Sequence, residues 1–292
     1  NLIGSNATLR VSGASTVDLL RNTASFGETQ TVDIAAGQTL VAGRLAVTEN
    51  STLVKTGAGT LTATTQGLGA TSTLQIDAGI VALNGPETAT SNTGAVLVNA
   101  TGALRVAGAI SGAVSVAAGG TIEGPGRVGP LASSGNVSPG LPTAPVGTLT
   151  TGDLTLGGGT LTLDLQNTAA YDKLAVIGTV TLQNNPQLVG LLTGGTIAQG
   201  DLFFIVDNDG IDPVFGEFNG VTNSGAPGAP GFTILNGQAF FVSYFGDAAT
   251  NAFDTVGGND IVLQAVPEPQ TWATVMSGIG ALVGLQRFRR RR

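Results

Sequence analysis

Hydrophobic and polar positions alternate along most of the chain, in short runs broken by glycine. The pieces "TVDIAAGQTLVAG", "TLVKTGAGTLTAT", "TLQIDAGIVALNG", "AVLVNATGALRVAG" and "AVSVAAGGTIEGPG" share one layout, with "ATLRVSGASTVDLL" as a weaker relative before them. Each reads as an alternating strand, a turn containing glycine, and a second alternating strand. Period-two alternation points every other side chain to one face, and here it selects Val32, Ile34 and Leu40, Leu53, Leu74 and Ile76, and Leu97, Leu104 and Val106 as interior positions. The central glycines Gly37, Gly57, Gly79, Gly102 and Gly119 are spaced at 20, 22, 23 and 17 residues. A recurrence near 20 residues is the mark of a solenoid, in which one unit cannot bury its apolar face but stacked copies build a continuous core.

The expected fold is therefore all-β: a right-handed parallel β-helix (β-solenoid), with a strand-rich C-terminal continuation or cap and a C-terminal membrane-anchor helix. An antiparallel sandwich with recurring hairpins is the competing arrangement. Four segments follow from the changes in texture. Residues 1–126 hold the solenoid repeats, and 127–147 form a Pro/Gly-rich loop or seam. Residues 148–265 form a C-terminal β region that continues or caps the coil, and 266–292 form a tail of different character. The phenylalanines concentrate between Phe203 and Phe253, so the denser core is expected there. A cap is a physical need, because an open rung end is an unpaired sheet edge.

Composition narrows the chemistry. The chain of 292 residues is 42% hydrophobic and 11% charged, with 45 glycines, no cysteine and no histidine. Disulfides, thiolate metal sites, imidazole ligation and histidine-based nucleophilic dyads are thereby excluded. Before Pro267 stand seven basic and eighteen acidic residues, a body with no electrostatic attraction for nucleic acid. The chain opens at Asn1 without a basic-plus-apolar leader, so a fragment or a processed form is expected.

The tail "VPEPQTWATVMSGIGALVGLQRFRRRR" reverses the charge balance. Pro267 and Pro269 mark a helix start, the stretch from about 271 to 286 is uncharged, and Trp272 suits a membrane interface. Arg287, Arg289, Arg290, Arg291 and Arg292 then suit the cytoplasmic side. Gln270 to Gln286 is about 25 Å of helix, the short limit for a bilayer. The order Pro267-Glu268-Pro269, apolar run, arginine cluster resembles the PEP-CTERM sorting signal of Gram-negative bacteria. That resemblance implies an exosortase-type membrane protease as processing partner, transient residence in the inner membrane, and delivery to the cell surface or extracellular matrix. In the body, Leu53, Lys55, Gly57, Gly59, Thr60 and Leu61 resemble the core of the autotransporter-associated β-strand repeat. That likeness implies a β-helical passenger on a bacterial surface, although such passengers usually end in a membrane β-barrel.

Candidate chemistry is sparse. "DNDGID", with Asp207, Asp209 and Asp212, is the densest acidic cluster and the one weak candidate for metal, through calcium bound by oxygen; a strand-to-strand turn explains it equally well. "GGND" (Gly257 to Asp260) starts like a calcium-binding repeat but occurs once. No cofactor motif is present. Acids lie mostly singly in turns, and residues 27–170 contain no Phe, Trp or Tyr to serve as a sugar platform. The expectation is a non-catalytic surface or matrix structural/adhesive protein, with extracellular polysaccharide or self-association as contacts. The alternatives are a carbohydrate-active enzyme on the same scaffold and a self-assembling fibre subunit.

Overall fold

In a computed structural model, residues 7–22, 28–86, 93–222, 231–253 and 257–266 are described. The proline, glutamate and arginine positions of the tail, and the anchor helix expected at 271–286, lie outside them. Among the described residues there is no helix, and none long and apolar enough to cross a membrane.

The chain winds as a parallel β-solenoid. One side is a ladder of parallel strands from Thr8–Val11 through Thr29–Ile34, Thr52–Thr56, Thr73–Leu83, Ala95–Val106, Val114–Val116, Leu131–Ser133, Leu154–Gly157 and Val180–Gln183 to Val214–Phe215. A second side runs from Ser15–Asn22 through Thr39–Val47 and Thr60–Leu68 to Asn136–Ser138, Thr160–Asn167 and Gln187–Leu192. From Ala109–Ile110 onward a third side forms, passing through Arg127–Val128, Thr148–Thr151 and Lys173–Val176 to Leu202–Asn208. Successive units lie beside one another along an axis, which rules out the sandwich. Parallel partner offsets run from 15 residues (Thr121 to Asn136) to 34 (Val180 to Val214), a range that contains the glycine spacing of 17 to 23 and widens toward the C-terminal coils.

Register turns alternation into stacks. Leu53, Leu74, Val96, Val114, Leu131, Leu154 and Val180 follow one another up the first side, each fully buried or nearly so. Leu40, Leu61, Val81, Leu104, Ile122, Val137 and Leu161 do the same on the second. Each buried aliphatic side chain contributes about 1.5–3 kcal/mol of transfer free energy. One expected interior position is corrected. Leu97 faces outward and is 37% exposed, while its neighbours Val96 and Val98 are inside. "AVLV" holds three apolar residues in a row, and the pairing of Val96 with Leu74 and Val114 decides which of them point in.

Glycine shapes the corners. Gly37, Gly57, Gly79 and Gly119 sit at φ of 74°, 71°, 71° and 86°, the left-handed region that favours glycine. Gly102 is needed for closeness instead, since a Cβ there would strike the Ile76 carbonyl of the coil below.

Residues 127–138 belong to the ladders, and the irregular stretch is 139–147, closed by a bridge between Leu141 and Ala144. At the far end the third side turns antiparallel. Asp260–Ala265 pairs with Leu202–Asn208 and with Gln238–Gly246, and Gly231–Leu235 forms the edge. An Asn236-Gly237 turn with both φ positive joins the last hairpin, as two-residue hairpins require. Here the interior turns aromatic. Phe203 meets Tyr171 edge-on at 5.3 Å and Phe240 at 6.0 Å, and Leu235 packs onto Gly190.

Candidate functional site

Two grooves, one uncharged and one lined by a single carboxylate, meet along the corner between the first and second sides. The first, about 370 Å³, has a floor of small outward residues in parallel register: Ser115, Ala132 and Thr155, with Ala117, Ser134 and Gly157 beside them. Leu97 and Asn99 bound one end, Gln183 and Asn184 the other. Five adjacent strands make this floor, about 19 Å at the interstrand spacing. Gln183 and Asn184 also border the second groove, about 510 Å³, which continues past Glu217, Asn219 and Thr222 to Tyr244 and Phe245. Asn184 and Asn185 hold left-handed backbone (φ 57° and 55°) and are exposed. Glu217 carries the only charge among the residues lining the two grooves. Hydroxyls and amides without charge suit hydrogen bonding to a neutral, hydroxyl-rich chain.

The floor exists because the outward positions of "AVSV", "LASS" and "LTLG" are all small. Sequence reasoning noted polar strand faces but missed this groove, since the signal is visible only after the strands are aligned in register.

Lys55, the lysine of the repeat-like motif, does not reach solvent. It takes an interior position between Val32 and Ile76 and is fully buried. Its ammonium donates to the carbonyls of Thr56 (2.8 Å), Gly57 (2.8 Å) and Ala78 (3.0 Å), joining two successive coils at their corner. Burial lowers its pKa to about 8, partly opposed by the Asp33 carboxylate.

A buried acidic pair lies behind the 139–147 loop. Asp172, fully buried, accepts the N–H of Gly147 (2.7 Å) and of Asp164 (2.9 Å), tying the loop to the second side. Burial pushes its carboxyl up to about 7 against those hydrogen bonds, and burial also raises Asp164.

The acidic candidates resolve into a clamped turn. Asp207 pairs with Lys173 at 3.0 Å, while Asp209 and Asp212 are exposed. Asn259 donates to the carbonyls of Asn208 (3.1 Å), Asp209 (3.1 Å) and Gly210 (3.3 Å). Asp260 accepts the N–H groups of Asn208 (2.7 Å) and Ala248 (2.6 Å). Thus "GGND" supplies the side chains that hold "DNDG". Among the described residues, no three Asp or Glu come together in a way that could hold a metal ion.

No protein-family model matches this chain, and no curated protein matches it.

Proposed function

We propose that this chain is the body of an exported, non-catalytic surface or matrix protein of a Gram-negative bacterium, a stiff rod whose neutral corner groove contacts extracellular polysaccharide. One observation carries the reading: the unbroken parallel ladder from Thr8 to Phe215, with fully buried aliphatic stacks inside. A ladder joined by backbone hydrogen bonds at every coil is a mechanical element, and its outer rows of Ser, Thr and Ala are a surface for weak, repeated contacts. The coil is taken as right-handed, the hand that parallel crossovers adopt. The tail completes the reading, with Pro267-Glu268-Pro269 and the arginine cluster as the sorting signal, the run at 271–286 as a transient inner-membrane helix, and an exosortase-type protease as the processing partner.

The test is fractionation of the native host with mass analysis of the mature C-terminus. Expected is a surface or matrix form lacking the arginine cluster. Intact cytosolic protein retaining Arg292 would overturn the reading.

The buried pair Asp164 and Asp172 is the observation that favours a second reading, a carbohydrate-active enzyme on this scaffold, because raised carboxyl pKa values are a resource for acid catalysis. Both oxygens of Asp172 are already engaged by backbone N–H groups, which favours a tethering role.

A further inference from the structure

The last hairpin carries an apolar outer face that ends where the described chain ends. Register places Phe232, Phe241 and Gln264 in one outward row across three strands, and Ile234 in the next, opposite Ala239, which is itself buried. Val266 joins that second row through its N–H, which donates to the Ala239 carbonyl at 3.0 Å. Phe232, Ile234 and Phe241 are 49%, 54% and 38% exposed, and the two phenylalanine rings meet at 6.2 Å. None of these six residues is charged. An edge strand is ordinarily protected by charge, so an aromatic and aliphatic face on one marks a contact surface.

What lies beyond Val266 identifies the contact. The uncharged run begins at Thr271, five Cα steps on, so the hairpin cannot stand more than about 17 Å from the start of that run. We infer that Phe232, Ile234 and Phe241 form a lipid-docking face that rests on the bilayer interface while the tail is inserted. This rests on the reading of 271–286 as a membrane helix. Phenylalanine and isoleucine belong at the boundary between headgroups and acyl chains. With seven basic against eighteen acidic residues before Pro267, net charge does not draw the body to an anionic bilayer, and apolar contact would hold it there. The docked face would hold Pro267-Glu268-Pro269 at a set height above the membrane, the placement that a membrane-embedded protease needs.

The chain lends itself to the test, having one tryptophan, Trp272, in the tail, and no cysteine. The full chain is reconstituted into phosphatidylcholine vesicles containing a minor fraction of phosphatidylglycerol. A polarity-sensitive fluorophore is attached at Ile234→Cys, or at Ser115→Cys on the groove floor as control. Expected is several-fold stronger quenching of the Ile234 label than of the control by headgroup-level nitroxide lipid. Phe232→Ser with Phe241→Ser should reduce the Ile234 signal to the control level, with the thermal midpoint retained. Trp272 quenching by brominated acyl chains reports tail insertion separately and should be the same in all variants. Inserted Trp272 with an unquenched Ile234 label would overturn the docking face and leave the anchor standing. Unquenched Trp272 would overturn both. A blue-shifted Ile234 label without vesicles would also overturn the proposal: loss of the shift on truncation after Val266 assigns the face to the tail folded back, and dependence on protein concentration assigns it to a second copy.

Discussion

Lys55 shows how a single polar residue earns an interior position. Its stem fills the stack between Val32 and Ile76, while its ammonium donates to three carbonyls, of Thr56, Gly57 and Ala78, at the glycine corner. Lys55→Met keeps the volume but removes those three hydrogen bonds, and a loss of about 1–3 kcal/mol is expected in chemical unfolding. The pH dependence has a definite sign. Since the folded state lowers the Lys55 pKa from 10.5 to about 8, the unfolded chain binds the proton more tightly. Wild-type stability should therefore rise between pH 8 and 10.5, and this rise should shrink in Lys55→Met. Asp172 runs the other way. Its folded-state pKa is raised from 3.8 to about 7, so its contribution is fully present below pH 3.8 and is lost as the pH climbs to about 7. Thermal unfolding of Asp172→Asn should show a flatter profile over that window, with Asp164 the neighbouring carboxyl that titrates in both proteins. If the pair tethers the loop, the substitution changes only stability; if it catalyses, release of reducing sugar from a substrate polysaccharide is lost as well.

At the scale of one strand, the deciding quantity is register. In Ala95–Val106 the pleat buries Val96 and Val98 and exposes Leu97. Val96→Ser should destabilise by roughly 3 kcal/mol or more, combining a cavity with a buried hydroxyl that lacks a ready partner. Leu97→Ser should stay within about 0.5 kcal/mol of wild type, as surface changes do. Equal losses in denaturant titrations would mean that the strand is shifted by one residue. The same strand also shows why the corners tolerate so little. At Gly102 the chain passes so near Ile76 that even a methyl group has no room, and such contacts set the distance between coils.

Across the whole molecule, order along the axis changes in kind. Small and aliphatic residues fill the coil up to about Leu182, and aromatic residues take over where the ladders end. Phe218 and Tyr244 meet there with ring centroids 6.5 Å apart, and the Tyr244 hydroxyl accepts from the Phe218 N–H at 2.9 Å and donates to the Val221 carbonyl at 3.0 Å. The larger rings fill the space that a missing next coil would occupy, and antiparallel strands occupy the edge of the third side. On the proposed reading, the body travels to the surface as one folded unit and the tail carries its address. Accordingly, deleting Arg287 to Arg292 should leave the body folded while unprocessed precursor accumulates, measured by mass in the membrane fraction.

Periodicity alone was enough for the all-β class, the solenoid and all but one of the interior positions named from it, because alternation and a 20-residue recurrence are local properties of the chain. Val32, Ile34, Leu40, Leu53, Leu74, Ile76, Leu104 and Val106 all lie inside as the pattern requires. Leu97 was misplaced because three apolar neighbours leave two registers open, and only pairing with the coils on either side chooses between them. The burial of Lys55, the Asp172 tether, the Asn259 clamp on "DNDG" and the neutral groove were decided by tertiary structure. Each depends on residues 20 or more positions apart, or on three coils at once, being brought within hydrogen-bond reach, and no local pattern encodes such a distance.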